Sequence, residues 1–72
     1  MERVLDLRGL VCPMPVIKTK KALNEIAEGE VLKVITTDPG SRTDIPALAK
    51  RTGFRLLDIK EGDREYEFLI TR

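Results

Sequence analysis

The chain has 72 residues and a formal net charge of +1, with 35% charged and 42% hydrophobic residues. That length holds one domain with a thin core, so multi-step catalysis on an enclosed substrate is not expected, and the near balance of charge lacks the broad cationic signature of a nucleic-acid binder. One cysteine and no histidine exclude an intrachain zinc site of those ligands, a Cys-His catalytic pair and an internal resolving disulfide.

Arg3 to Arg8 alternates, with Leu5 and Leu7 on one side and Val4, Asp6 and Arg8 on the other, which predicts a half-buried strand. Gly9 lets the chain turn. Pro13 and Pro15 flank Met14 where a helical period begins, and proline is at home in a first turn whose N–H groups have no intrahelical partner. A helix from Pro13 to about Glu28 follows. Val16, Thr19, Leu23, Ile26 and Ala27 share its apolar arc, and Lys18, Lys21, Glu25 and Glu28 lie opposite. Met14 falls on the polar arc, either as a flexible docking contact or as a cover for the neighbouring loop.

Glu28-Gly29-Glu30 ends this helix, and Val31 to Thr37, apolar on both faces, predicts an inner strand. Asp38-Pro39-Gly40-Ser41 is a concentrated turn signal. The second helix carries Ile45, Leu48, Ala49 and Thr52 on one face. Pro46 favours Asp44 as its N-cap over a start at Arg42, and Gly53 ends it. Phe54 to Glu61 alternates Leu57 and Ile59 against Asp58 and Lys60. Arg64 to Thr71 alternates Tyr66, Phe68 and Ile70 against Glu65 and Glu67, and Gly62-Asp63 between them suits a tight II′ hairpin.

The order is β-α-β-α-β-β over a single domain, residues 1–72. Two helices with one apolar stripe each give an α+β fold: a two-layer α/β sandwich in which a mixed four-stranded sheet carries both helices on one face.

The chemistry concentrates at Cys12. Its sulfur is expected near the free N–H groups of the first helical turn, and from Leu7 to Asn24 the chain has Arg8, Lys18, Lys20 and Lys21 but no acid. Such a setting favours a nucleophilic thiolate, with a pKa below the free value of about 8.5. Lys20 is expected to bury its stem at the edge of the apolar arc and hold its ammonium near the thiol. Arg8 and Asp38 close strands on the same side and are further contact candidates. A signal-peptide pattern and a bilayer-length apolar run are both absent from the sequence, which points to a soluble, reducing compartment, by default the cytoplasm, with no membrane partner.

Leu5-Asp6-Leu7-Arg8-Gly9-Leu10-Val11-Cys12-Pro13-Met14-Pro15 resembles the start of the TusA/SirA-like small sulfur-carrier family, marked by Cys-Pro-x-Pro at the first helix's N-terminus. The resemblance continues through Gly29-Glu30, Asp38-Pro39 and Asp44-Ile45-Pro46. It implies that Cys12 accepts a sulfane sulfur as a persulfide from a cysteine desulfurase or other donor protein and passes it to a downstream acceptor. Family recipients serve tRNA thiolation, molybdenum-cofactor assembly or sulfur metabolism. The chain is then a sulfurtransferase-type reactant that is regenerated, with no cofactor and no metal, rather than a self-sufficient catalyst. Gly9, Pro13 and Pro15 shape the site, and Met14, Arg8, Lys20 and Asp38 are the partner-binding candidates. The alternatives are a redox-sensing thiol and a small RNA-binding module; direct nucleic-acid binding is not expected, since Tyr66 and Phe68 are read as core residues.

Overall fold

The computed structural model describes residues 2–72. Six elements follow one another: β1 (Glu2–Leu7), α1 (Met14–Leu23), β2 (Val31–Thr36), α2 (Ser41–Thr52), β3 (Arg55–Glu61) and β4 (Tyr66–Thr71). The strands form one mixed sheet in the order β1-β2-β4-β3, with β1 parallel to β2 and the remaining pairs antiparallel.

Alternation along the strands decides which face the helices cover. Leu32, Val34 and Thr36 of β2 are buried, as are Leu7 of β1 and Phe68 and Ile70 of β4; these meet Leu23, Ile26, Ile45, Leu48 and Ala49 in one core. Lys33 and Glu67 lie on the opposite face, joined by a 2.8 Å ion pair that holds the Glu67 carboxyl below its usual range. Phe68 is fully buried, Tyr66 packs at the core margin and Phe54 lies under Arg72, so no aromatic platform faces solvent. Among the described residues no helix is long and apolar enough to cross a membrane.

Four features differ from the sequence reading, each for a physical reason. The first helix stops at Leu23 rather than near Glu28. Beyond it Glu25 N–H tightens onto Ala22 O, and the Glu30 carboxylate takes the Ala27 N–H at 2.7 Å. A continuing helix would have given that donor to Leu23 O. Ile26 still reaches the core from this short non-helical segment, whereas Ala27 is exposed.

The second helix begins at Ser41, three residues ahead of Asp44, so Pro46 lies inside it. The Asp38–Gly40 turn runs directly into the helix through three i→i−3 bonds, from Ser41, Arg42 and Thr43 N–H to Asp38, Pro39 and Gly40 O. Pro46 then leaves one helical acceptor, Arg42 O, without its donor. Ser41 is buried, with its hydroxyl bonded to Asp38 O and to Thr36 Oγ1, which ties the helix start to β2. At the other end Gly53 takes φ +82 as expected, and Phe54 N–H closes on Ala49 O at 2.9 Å.

In β3 the partner of Ile70 is Leu56 and the partner of Phe68 is Ile59, with a bulge between Leu56 and Asp58. Leu57 is the extra residue and is 51% exposed, so it does not share a face with Ile59. The β3–β4 connection spans Gly62 to Glu65, closed by Gly62 N–H to Glu65 O at 2.8 Å, and the residue at positive φ is Arg64 (+62). A II′ turn would have required positive φ at Gly62.

Candidate functional site

Between β1 and α1 the chain makes two turns in quick succession. The first brings Leu10 N–H to Leu7 O and places Gly9 at φ +86, a left-handed conformation that a side chain strains; Gly9 N–H is held by Thr37 Oγ1 at 2.9 Å. The second runs from Val11 to Met14, closed by Met14 N–H to Val11 O at 3.0 Å. Cys12 is its second residue and Pro13 its third, across a cis peptide bond. Pro13 is the N-cap of α1, and Pro15 is buried at the base of its first turn. Cys12 is exposed as a free thiol.

The amide end of α1 offers this sulfur less than the sequence promised. Pro13 and Pro15 have no N–H, Met14 N–H is spent on Val11 O, and Ile17 N–H reaches Pro13 O at 3.2 Å. Val16 is left as the first-turn amide without a backbone partner. The cations are also placed differently. Arg8 Nη2 pairs with Asp6 at 2.8 Å and Nη1 with Glu65 at 3.3 Å, so Arg8 ties the end of β1 to the β3–β4 loop. The hydrogen bonds from the Arg8 guanidinium and backbone N–H to Asp6 push its carboxyl down to about 2. Lys20 is in the last turn of α1, at the opposite end of a helix about 15 Å long, and is exposed. It is therefore not held over the thiol.

An acid arrives instead, from far along the chain. Cys12 Sγ lies 3.8 Å from Asp44 Oδ2, with the thiol as donor. The early start of α2 makes this contact: it puts Asp44 on the helix's first turn, beside the Asp38–Gly40 turn. A Cβ added to Gly40 would meet Asp38 Oδ2 at 3.4 Å and Asp44 Oδ2 at 3.7 Å, so the two carboxylates converge over this glycine. Asp38 also accepts the Gly40 N–H at 3.4 Å, the role of a turn-forming aspartate.

The site thus unites Cys12, Asp44, Asp38 and the Gly9, Pro13 and Pro15 frame, while Lys20 stands apart. Asp44 had no local signal of this role, being 32 residues from Cys12. The chain on either side of Cys12 also exposes apolar side chains. Val11 is 68%, Met14 38% and Ile17 54% exposed, with Met14 and Ile17 three apart on the same helical side. Met14 therefore points outward.

The family model described as Sulfurtransferase TusA matches residues 3–72. The chain belongs to the TusA family. Among its TusA-family relatives, the sulfur carrier protein TusA of Allochromatium vinosum is 46% identical over 71 residues, which cover 99% of this chain and 93% of that protein. A putative sulfur carrier protein of Halobacterium salinarum is 48% identical over 69 residues, covering 94% and 85%. The crystal structure of a SirA-like protein from Desulfitobacterium hafniense has a TM-score of 0.83 at 34% identity, covering 99% of this chain and 96% of its own. The TusA-type β-α-β-α-β-β order is therefore the architecture of the chain.

Proposed function

We propose that this protein carries sulfane sulfur on Cys12, receiving it from a donor protein such as a cysteine desulfurase and delivering it to an acceptor protein. The observation that carries the reading is an exposed thiol on a proline-framed turn, with the exposed apolar side chains of Val11, Met14 and Ile17 close to it in the chain. A protein partner can reach that sulfur and cover those apolar side chains when it docks.

In the uptake step the Cys12 thiolate attacks the terminal sulfur of a donor persulfide. The Sγ–S bond forms as the donor's S–S bond breaks, and the donor cysteine leaves as a thiolate, so there is no net oxidation. Delivery repeats the exchange: an acceptor nucleophile takes the outer sulfur and Cys12 departs as a thiolate. The lone cysteine matters here, because a second one within reach could capture the persulfide as a disulfide.

Each neighbour has a part. Gly9 and the two prolines hold the turn that presents the sulfur, and Met14, two residues beyond it, is a docking contact. Arg8 fixes the strand end behind the turn, and Asp38 holds the start of α2. Asp44 sets the charge beside Sγ. The geometry gives Lys20 no part at the sulfur.

The test is intact-mass measurement after incubation with inorganic polysulfide. A gain of about 32 Da, reversed by a thiol reductant and absent in Cys12→Ser, supports the proposal, whereas addition of oxygen instead of sulfur identifies a redox sensor.

A further inference from the structure

A groove of 170 Å³ runs between α1 and the outer edge of β1, lined by Leu5, Lys18, Lys21, Ala22 and Glu25. We propose that it receives an extended acidic segment of a protein partner, which adds to β1 as a fifth strand and sets its carboxylates against Lys18 and Lys21.

Three features of the molecule converge on this occupant. First, β1 is an edge strand: it pairs only with β2, so alternate residues between Glu2 and Leu7 turn unpaired N–H and C=O groups outward. An extended chain is the partner that satisfies such a row. Second, the groove has a net positive lining, Lys18 and Lys21 against the one carboxylate of Glu25. Lys18 and Lys21 are exposed and form no ion pair among the described residues, whereas Arg8, Lys33 and Arg42 all do. Three residues apart, they rise about 4.5 Å along the helix, while side chains on one face of a strand repeat at about 6.6 Å. Flexible lysine stems bridge that difference.

Third, the two faces of an added strand would meet different surroundings. Leu5 shares the helix-covered face and Val4 the open one, so helix-facing side chains lie over Leu5 and Ala22 below the lysines, and the alternate ones lie beside Val4, which is 61% exposed. An alternating acidic and apolar sequence fits both. The other sheet edge is less suited to the same ligand, because β3 is interrupted by its bulge between Leu56 and Asp58. Single-stranded RNA fits less well than a peptide, because no aromatic side chain lines the groove for bases to stack upon.

The groove also leads to the sulfur. Met14, Lys18 and Lys21 follow one side of α1 upward to the turn that holds Cys12. A donor or acceptor anchored here by such a segment is held with its reactive sulfur near Cys12, a purpose that rests on the carrier reading although the binding itself does not.

The test titrates the ¹⁵N-labelled full chain with a capped peptide of alternating glutamate and valine, and in parallel with a lysine-valine peptide and a uridine oligomer. Saturable shifts at the amides of Val4–Leu7 and Lys18–Ala22 with the glutamate peptide alone, and at least tenfold weaker binding to the double variant Lys18→Glu, Lys21→Glu, are expected. No saturation at millimolar peptide, shifts centred on β3, undiminished affinity in the double variant, or tighter binding of the uridine oligomer to the same amides would each overturn the proposal. No sulfur reacts in this titration, so its failure leaves the persulfide measurement on Cys12 intact.

Discussion

Replacing Asp44 by asparagine keeps the side chain's shape and removes its charge, which makes it a clean probe of the contact found at the sulfur. Oδ2 lies 3.8 Å from Cys12 Sγ. Two like unit charges about 4 Å apart repel by about 1 kcal/mol in bulk water. The reactive thiolate meets that repulsion whenever it forms. Taking the water value as the ceiling for a solvent-exposed pair, Asp44→Asn raises the alkylation rate of Cys12 by iodoacetamide at pH 7 by up to about fivefold, a factor that corresponds to about 1 kcal/mol. Added salt narrows the gap between the two proteins, since both groups are in contact with solvent. The assay is pseudo-first-order loss of free thiol, run beside a thermal melt that shows the fold unchanged. A rate equal to or below that of the parent would refute the reasoning; the slower outcome would mean that the carboxylate helps to remove the thiol proton.

Three further outcomes follow from the fold. Asp6 has a folded value of about 2 against an ordinary value of 3.8, so the stability it gains from Arg8 is complete above about pH 4 and is lost as pH falls towards 2. Asp6→Asn removes that part of the acid dependence, so the gap in unfolding free energy between parent and variant closes on acidification; a gap independent of pH contradicts the assignment. Thr19 is fully buried on α1 and its Oγ1 has no hydrogen-bond partner. Thr19→Val is expected to stabilise the chain by about 1 kcal/mol, raising the thermal midpoint by about 4–8 °C, and a lowered midpoint shows that the hydroxyl is satisfied. Arg64 has φ +62 in the β3–β4 loop. Arg64→Gly is expected to gain about 0.5–1 kcal/mol in chemical denaturation, after the extra chain entropy of glycine is set against the relieved left-handed strain, and a loss of stability argues against that backbone conformation.

What could be read from the residues was whatever has a short period or a strict local requirement. The β-branched residues Val31, Val34, Ile35, Thr36 and Thr37 identified β2, and apolar content on both faces marked it as an inner strand. Gly53 was legible because a helix end at positive φ suits glycine above other residues. The place of Cys12 at a helix entrance was legible because Pro13 and Pro15 mark the first turn of α1.

The departures came from interactions between segments. Nothing near Pro46 reveals that Ser41 will bond to Thr36 across a turn and draw the helix start forward. The bulge at Leu57 depends on how β3 must register against Phe68 and Ile70. At the site, local charge counting from Leu7 to Asn24 found only cations, while the fold brought Asp44 to the sulfur and carried Lys20 to the far end of α1. The same proline pattern that marked the helix start also removed two of the amide donors expected to face the thiol, those of residues 13 and 15.

Sulfur transfer from the loaded chain measures the central claim most directly. The protein is charged with ³⁵S from labelled cysteine and a desulfurase, separated from both, and mixed with an acceptor protein bearing one thiol. The account predicts one labelled atom per chain, none on Cys12→Ser, and its appearance as a persulfide on the acceptor with matching loss from the carrier. Label that persists on the Cys12→Ser variant, or that escapes as sulfide without ever reaching the acceptor, would contradict it.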